Sequence, residues 1–203
     1  MNVDNTAPTR RRLRAAGRRE QLLDVATDLL AEVGFRGMSV ELLARRAGIT
    51  RAVVYRHFPD LETLLETAVE RAMVRALEQV AATALPDMSA GDPIGLMVAS
   101  LSAYLTAVRD NPATWRLVML PPEGSPELLQ RSIAAGRATV LGSLTRAVGS
   151  LLGQQGLGDV ELTARVMQAV ADEYARLVLV DPAEYSRERL VAHLRWLLEV
   201  APL

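Results

Sequence analysis

The chain has 203 residues, half of them hydrophobic but only 4% aromatic, and a net charge of −1. It contains no cysteine and no lysine, which excludes disulfides, thiolate metal sites, Walker-type phosphate loops and Schiff-base chemistry. The charge is uneven: residues 1–60 carry 11 Arg against 7 acids (+4), and residues 61–203 carry 12 Arg against 17 acids (−5), so an anionic partner is expected for the head alone.

Leu, Ala and Val dominate the apolar half, which favours packed helices over a sheet-rich core. No apolar run approaches a membrane span, and no apolar segment of signal-peptide type follows the Arg-rich start. A cytoplasmic protein without membrane contact is expected.

Residues 1–17 read as a polar, Arg-rich tail, in which Arg10, Arg11, Arg12 and Arg14 could enter a minor groove, where Arg is favoured. From Arg18 the spacing turns helical, with Leu22, Leu23, Ala26, Leu29, Leu30 and Val33 on one stripe and Gly34 as its stop. Ser39 caps a second, short helix with Val40, Leu43, Ala44 and Ala47 inward, and Gly48 ends it. Thr50 caps a third, RAVVYRHF, which Pro59 forbids from extending. Asp60 caps a fourth, whose stripe runs from Leu61 to Val80.

After an ALPDMSAGDP linker, Ile94, Met97, Val98, Leu101, Leu105 and Val108 mark a fifth helix, and Pro112 opens a short sixth. Ser125-Pro126 reads as a cap followed by proline at the first position of a seventh, with Ile133, Val140, Leu141, Leu144, Val148, Leu151 and Leu152 on its stripe. GQQGLG is a turn rather than a nucleotide loop, since no strand precedes it. Two last helices, about 160–180 and 187–200, are split by Asp181-Pro182 and carry apolar residues on two sides. A helix apolar on two sides needs two partners, so Leu190, Leu194, Leu197 and Leu198 are expected to bind a second copy of the chain. The fold class is all-α: a three-helix DNA-binding head (18–62) and a helical body (63–203), about nine helices in all.

Residues 40–59, VELLARRAGITRAVVYRHFP, meet the steric needs of a helix-turn-helix. Ala44 is small where the helices cross, Gly48 sits where the turn wants a left-handed backbone, and Val54 points inward. The other face of the second helix then offers Arg51, Ala52, Val53, Tyr55 and Arg56. Arg reads guanine edges bidentately, and Ala or Val can touch thymine methyls. An ordinary helical hairpin would not keep Tyr, Arg and His on that face.

The stretch GFRGMSVELLARRAGITRAVVYRHFPDLETLL resembles the DNA-binding domain of the TetR family, over about 50 residues from Arg18 to Met73. The resemblance implies a two-fold dimer on a near-palindromic operator, released when a small molecule binds the body. By position, Thr50, Tyr55 and His57 match phosphate-holding residues, Arg51, Ala52 and Val53 match the base-reading surface, and Phe58 matches a core plug. With Ser39 and Arg56 these complete the expected DNA-facing set. Leu61 departs from the pattern, standing where the family usually has a phosphate-gripping lysine.

The expected effector residues are Met73, Met97, Leu101, Tyr104, Trp115, Met119, Leu144, Met167 and Tyr174, adaptable or amphipathic side chains that suit an apolar ligand. Arg137 and Glu173 join them because each falls on an apolar stripe, where a charge needs a partner; a structural ion pair is the plainer account. With two His, no Cys and no Lys, no catalytic constellation, metal site or cofactor is expected. The competing readings are a constitutive DNA-binding regulator without an effector and a lipid or small-molecule carrier on the same fold.

Overall fold

The computed structural model describes residues 15–83, 92–152 and 159–200. Arg10, Arg11, Arg12 and Arg14, most of the ALPDMSAGDP linker, GQQGLG and the side chains of Leu151 and Leu152 lie outside the described residues. Among those described there are nine α-helices and no strand: α1 (Ala15–Val33), α2 (Val40–Ala47), α3 (Arg51–His57), α4 (Leu61–Ala82), α5 (Pro93–Asp110), α6 (Pro112–Met119), α7 (Glu127–Leu152), α8 (Val160–Val180) and α9 (Arg187–Val200). Among the described residues no helix is long and apolar enough to cross a membrane.

The helix ends follow the residues that dictate them. Ser39 Oγ accepts from Leu42 N at 3.1 Å and Asp60 Oδ1 from Thr63 N at 2.7 Å, and Asp92 and Asp159 cap α5 and α8 in the same way, each satisfying a donor that the first turn leaves free. Gly48 closes α2 at φ 67°, and the next residue's amide, Ile49 N, returns to Ala44 O at 2.9 Å. The seventh helix starts one residue later than its cap signal predicts: the Ser125 hydroxyl donates to Pro122 O, and the Pro126 carbonyl accepts from Gln130 N at 3.3 Å.

One apolar cluster joins Leu22, Leu29 and Leu30 of α1 to Leu43, Val54 and Phe58, to Leu64, Ala68 and Val69 of α4, and on to Leu117 of α6 and Leu129 of α7. Val33, placed on the inner stripe by its spacing, is instead 43% exposed at the helix end. A second cluster packs α5, α6, α8 and α9 around Leu105, Trp115, Ala175 and Val178. Between head and body, Arg71 of α4 reaches back to Glu20 at 2.7 Å and Asp24 at 2.8 Å on α1, while Arg75 also meets Asp24 at 2.9 Å.

Candidate DNA interface and effector cavity

The turn between α2 and α3 leaves one face of α3 to solvent and buries the other. Val54 and Phe58 are 2% and 1% exposed, whereas Arg51, Ala52, Tyr55 and Arg56 are exposed and Val53 and His57 half-buried. Arg19 of α1 lies over the Phe58 ring, 4.8 Å from its centroid. Thr50 caps α3 without a side-chain bond to it, so its hydroxyl is open to an outside acceptor. The Ser39 oxygen is engaged as a cap acceptor, although its proton can still be donated. Arg51 Nη1 lies 2.5 Å from Glu41 Oε1 on α2, and Arg46 pairs with Glu32 at 2.6 Å. Those bonds hold the Glu41 and Glu32 carboxyls below their ordinary range.

Leu61 opens α4 beside this face, half-buried against the head cluster. A leucine has no polar head with which to grip a phosphate, though the capped amino end of α4 still presents backbone donors there.

The body holds a cavity of about 600 Å3 bounded by all six helices from α4 to α9. Its walls are almost wholly apolar. Of the eleven residues expected to meet an effector, nine line it: Met73 from α4; Met97, Leu101 and Tyr104 from α5; Trp115 and Met119 from α6; Arg137 and Leu144 from α7; and Met167 from α8. Trp115 is fixed twice, by an edge-to-face contact with Tyr104 at 5.2 Å and by a 2.8 Å bond from its Nε1 to Gln79 Oε1 on α4.

Two expectations need correction. Glu173 points away from the cavity into solvent and pairs with Arg176 at 3.0 Å, and Tyr174 is buried with its hydroxyl 2.5 Å from His193 Nδ1. The residue that does face inward is Asp172, one position earlier. Arg137 is half exposed rather than buried, and its Nη2 lies 3.4 Å from Asp172 Oδ2. Desolvation by the apolar wall pushes the Asp172 carboxyl up, with Arg137 and Arg176 opposing, and pushes the Tyr104 hydroxyl far up.

The leucines assigned to a partner also move inward. Leu190 is 5% exposed in the second cluster of its own chain, Leu194 packs partly against that cluster, and Leu194, Leu197 and Leu198 line the cavity. Exposed to solvent are Ala169 along α8, with Leu162 and Val166 at the rim of the cavity, and Ala192, Trp196 and Val200 along α9. Leucine spacing missed this face because its exposed members are mostly Val, Ala and Trp.

A helix-turn-helix with a cationic, solvent-facing second helix, carried on an all-helical body, defines a DNA-binding transcriptional regulator. The profile described as "Bacterial regulatory proteins, tetR family" matches residues 22–68. An HTH-type transcriptional regulator of Mycobacterium tuberculosis is 30% identical over 148 residues, covering 72% of this chain and 68% of that protein. The chain belongs to the TetR family of bacterial regulators. BetI, an HTH-type regulator of Yersinia pestis, is 29% identical over 114 residues, 55% of this chain and 57% of its own. Among solved structures, a TetR-like regulator from Rhodococcus sp. RHA1 superposes with a TM-score of 0.72 at 21% identity, over 94% of this chain and 100% of that one. The fatty acid degradation regulator FadR from Bacillus halodurans superposes at 0.68 and 20% identity, over 91% and 96%.

Proposed function

We propose that the protein is a ligand-responsive repressor that binds a near-palindromic operator as a two-fold dimer and is released by an apolar effector taken into the body. The observation that carries this reading is α4. The helix begins at the DNA face, capped by Asp60, and continues unbroken to the cavity wall at Met73, Ala76, Leu77 and Val80. An effector that fills the cavity therefore pushes on the same rod that seats the helix-turn-helix. The apolar lining sets the effector class, and the fatty acid regulators among proteins of this fold agree with a ligand that has a long apolar part.

In this reading residues 18–62 are the DNA-binding head and 63–203 the sensing and dimerising body. Arg51, Ala52 and Val53 read base edges, while Ser39, Thr50, Tyr55, Arg56 and His57 hold phosphates. The second copy docks on the exposed stripes of α8 and α9, in a four-helix interface. The protein works in the cytoplasm, where its operator is.

Selection of genomic fragments by the purified protein should return a two-fold-related sequence, and an apolar ligand should release it in a gel-shift assay. A protein that retards the fragment but is not released by any ligand bound in the cavity would be a constitutive regulator. One that binds ligand but retards no DNA would be a carrier.

A further inference from the structure

The cavity wall is mostly apolar with a few Ser, Thr and Gln side chains, and its ionisable residues are Tyr104 on α5, Arg137 on α7 and Asp172 on α8, which feel one another's charge. The Asp172 side chain is only 16% exposed and takes no hydrogen bond among the described residues; its ion pair with Arg137 is a 3.4 Å approach. Arg137 itself is 46% exposed, so the anion is the inner member of the pair and the cation the outer. The Tyr104 hydroxyl also takes no hydrogen bond among the described residues and feels the charge of Asp172. Polar groups in an apolar wall are costly without partners, and a carboxylate has up to four acceptor sites to fill.

We infer that the effector carries a cationic hydrogen-bond donor, an alkylammonium in the simplest case, whose head is held by the Asp172 carboxylate with the Tyr104 hydroxyl beside it and whose tail lies along the methionines. This rests on the effector-cavity reading and narrows it to a head-group chemistry. An ammonium brings up to three donors to a carboxylate that takes no hydrogen bond among the described residues, and adds a close charge to those of Arg137 and Arg176. A carboxylate head would set two anions together in a low-dielectric pocket, where like charges repel strongly. Arg137, paired with Asp172, and Arg176, paired with Glu173, already have anionic partners and would offset that repulsion only in part.

The test uses the full chain with Trp196→Phe, which leaves Trp115 in the cavity wall as the one indole reporter, since the chain has two tryptophans. Decylamine, decan-1-ol and decanoate, each below its micellar concentration, are titrated at neutral pH. Decylamine should bind at least about tenfold more tightly than decanoate, a difference of roughly 1.4 kcal/mol. Asp172→Asn should abolish that preference while decan-1-ol binding stays within about twofold. Arg137→Gln, which leaves the carboxylate in place, should keep or strengthen decylamine binding. Equal binding of all three probes would leave the cavity reading intact and overturn the head-group assignment. Tighter binding of decanoate, lost in Arg137→Gln, would overturn it in favour of an anionic effector. Failure of every probe to bind would remove the cavity reading and this inference with it.

Discussion

Arg51, at the start of α3, lies 2.5 Å from Glu41 on the neighbouring α2. Both side chains are more than half exposed, so the pair is weak and readily exchanged for a base edge or phosphate. It keeps the guanidinium extended in front of α2 and partly cancels its charge. Glu41→Gln should therefore raise affinity for operator and random DNA together, narrowing the ratio between them. Arg51→Ala should cost about 1–3 kcal/mol at the operator and relax one base position. Binding titrations against operators substituted one base pair at a time check both, and an unchanged base preference in Arg51→Ala would refute its role.

At Leu61 the helix gives up a side-chain clamp for packing against the head. A lysine there can keep its stem along the apolar surface and lift its ammonium to the phosphate. Leu61→Lys should tighten operator binding and steepen the slope of log affinity against log salt by about 0.9, the value for one added phosphate contact on B-DNA. Deleting residues 1–14 should flatten that slope if the Arg10–Arg14 segment touches DNA. The two changes together then offset one another.

The bond from Trp115 Nε1 to Gln79 ties α6 to α4 beside the cavity. Trp115 is 2% exposed, so Gln79→Leu strands a buried donor and should cost about 1–3 kcal/mol. For a chain of this size that is a fall in Tm of several degrees. Gln79→Glu keeps an acceptor and should recover most of the loss in a thermal melt.

Trp196 of α9 is 55% exposed and Ala169 of α8 is exposed, and neither lines the cavity. Charging this face should separate the dimer while sparing the core and the cavity, so Trp196→Arg and Ala169→Arg should sediment as folded monomers. Operator binding should weaken by the avidity of a second half-site. Leu190→Arg should instead unfold the chain, because Leu190 lies in its own protomer's core.

Asp172 gives a pH signature of definite sign. Its carboxyl is raised above the ordinary 3.8 by desolvation, against the pull of Arg137 and Arg176. The folded chain therefore holds a proton that the unfolded chain has already released. Stability falls as pH climbs from 3.8 to the raised value and levels off above it. Asp172→Asn should melt above the wild type at neutral pH, and the gain should vanish well below pH 3.8.

The head was legible because its signals are local: Gly48 for a left-handed turn, Pro59 for a stop, Ser39 and Asp60 for caps. Each needs only a few neighbours in sequence. The body was legible in its elements but not in the rotation of its helices. α8 is apolar on two sides, so periodicity alone cannot say which side meets the cavity, and the inward charge is Asp172 where the stripe suggested Glu173. α9 poses the same ambiguity, since a leucine at Leu190 suits its own core as well as a partner's surface. Those choices are made by packing against α5 and α7, which the periodicity of α8 or α9 alone does not encode.

The apolar cluster beneath the helix-turn-helix is finished by Leu117 and Leu129. During synthesis the DNA-reading segment leaves the ribosome first, yet the last side chains to seal its floor emerge some seventy residues after Phe58. A nascent chain halted after α4 would thus carry a reading helix on an unfinished base, with Leu22, Leu29 and Leu30 missing part of their cover. Chains ending before Leu117 and Leu129 lack part of the head's own core, so the footing of the reading helix depends on α6 and α7 residues that follow it in the chain.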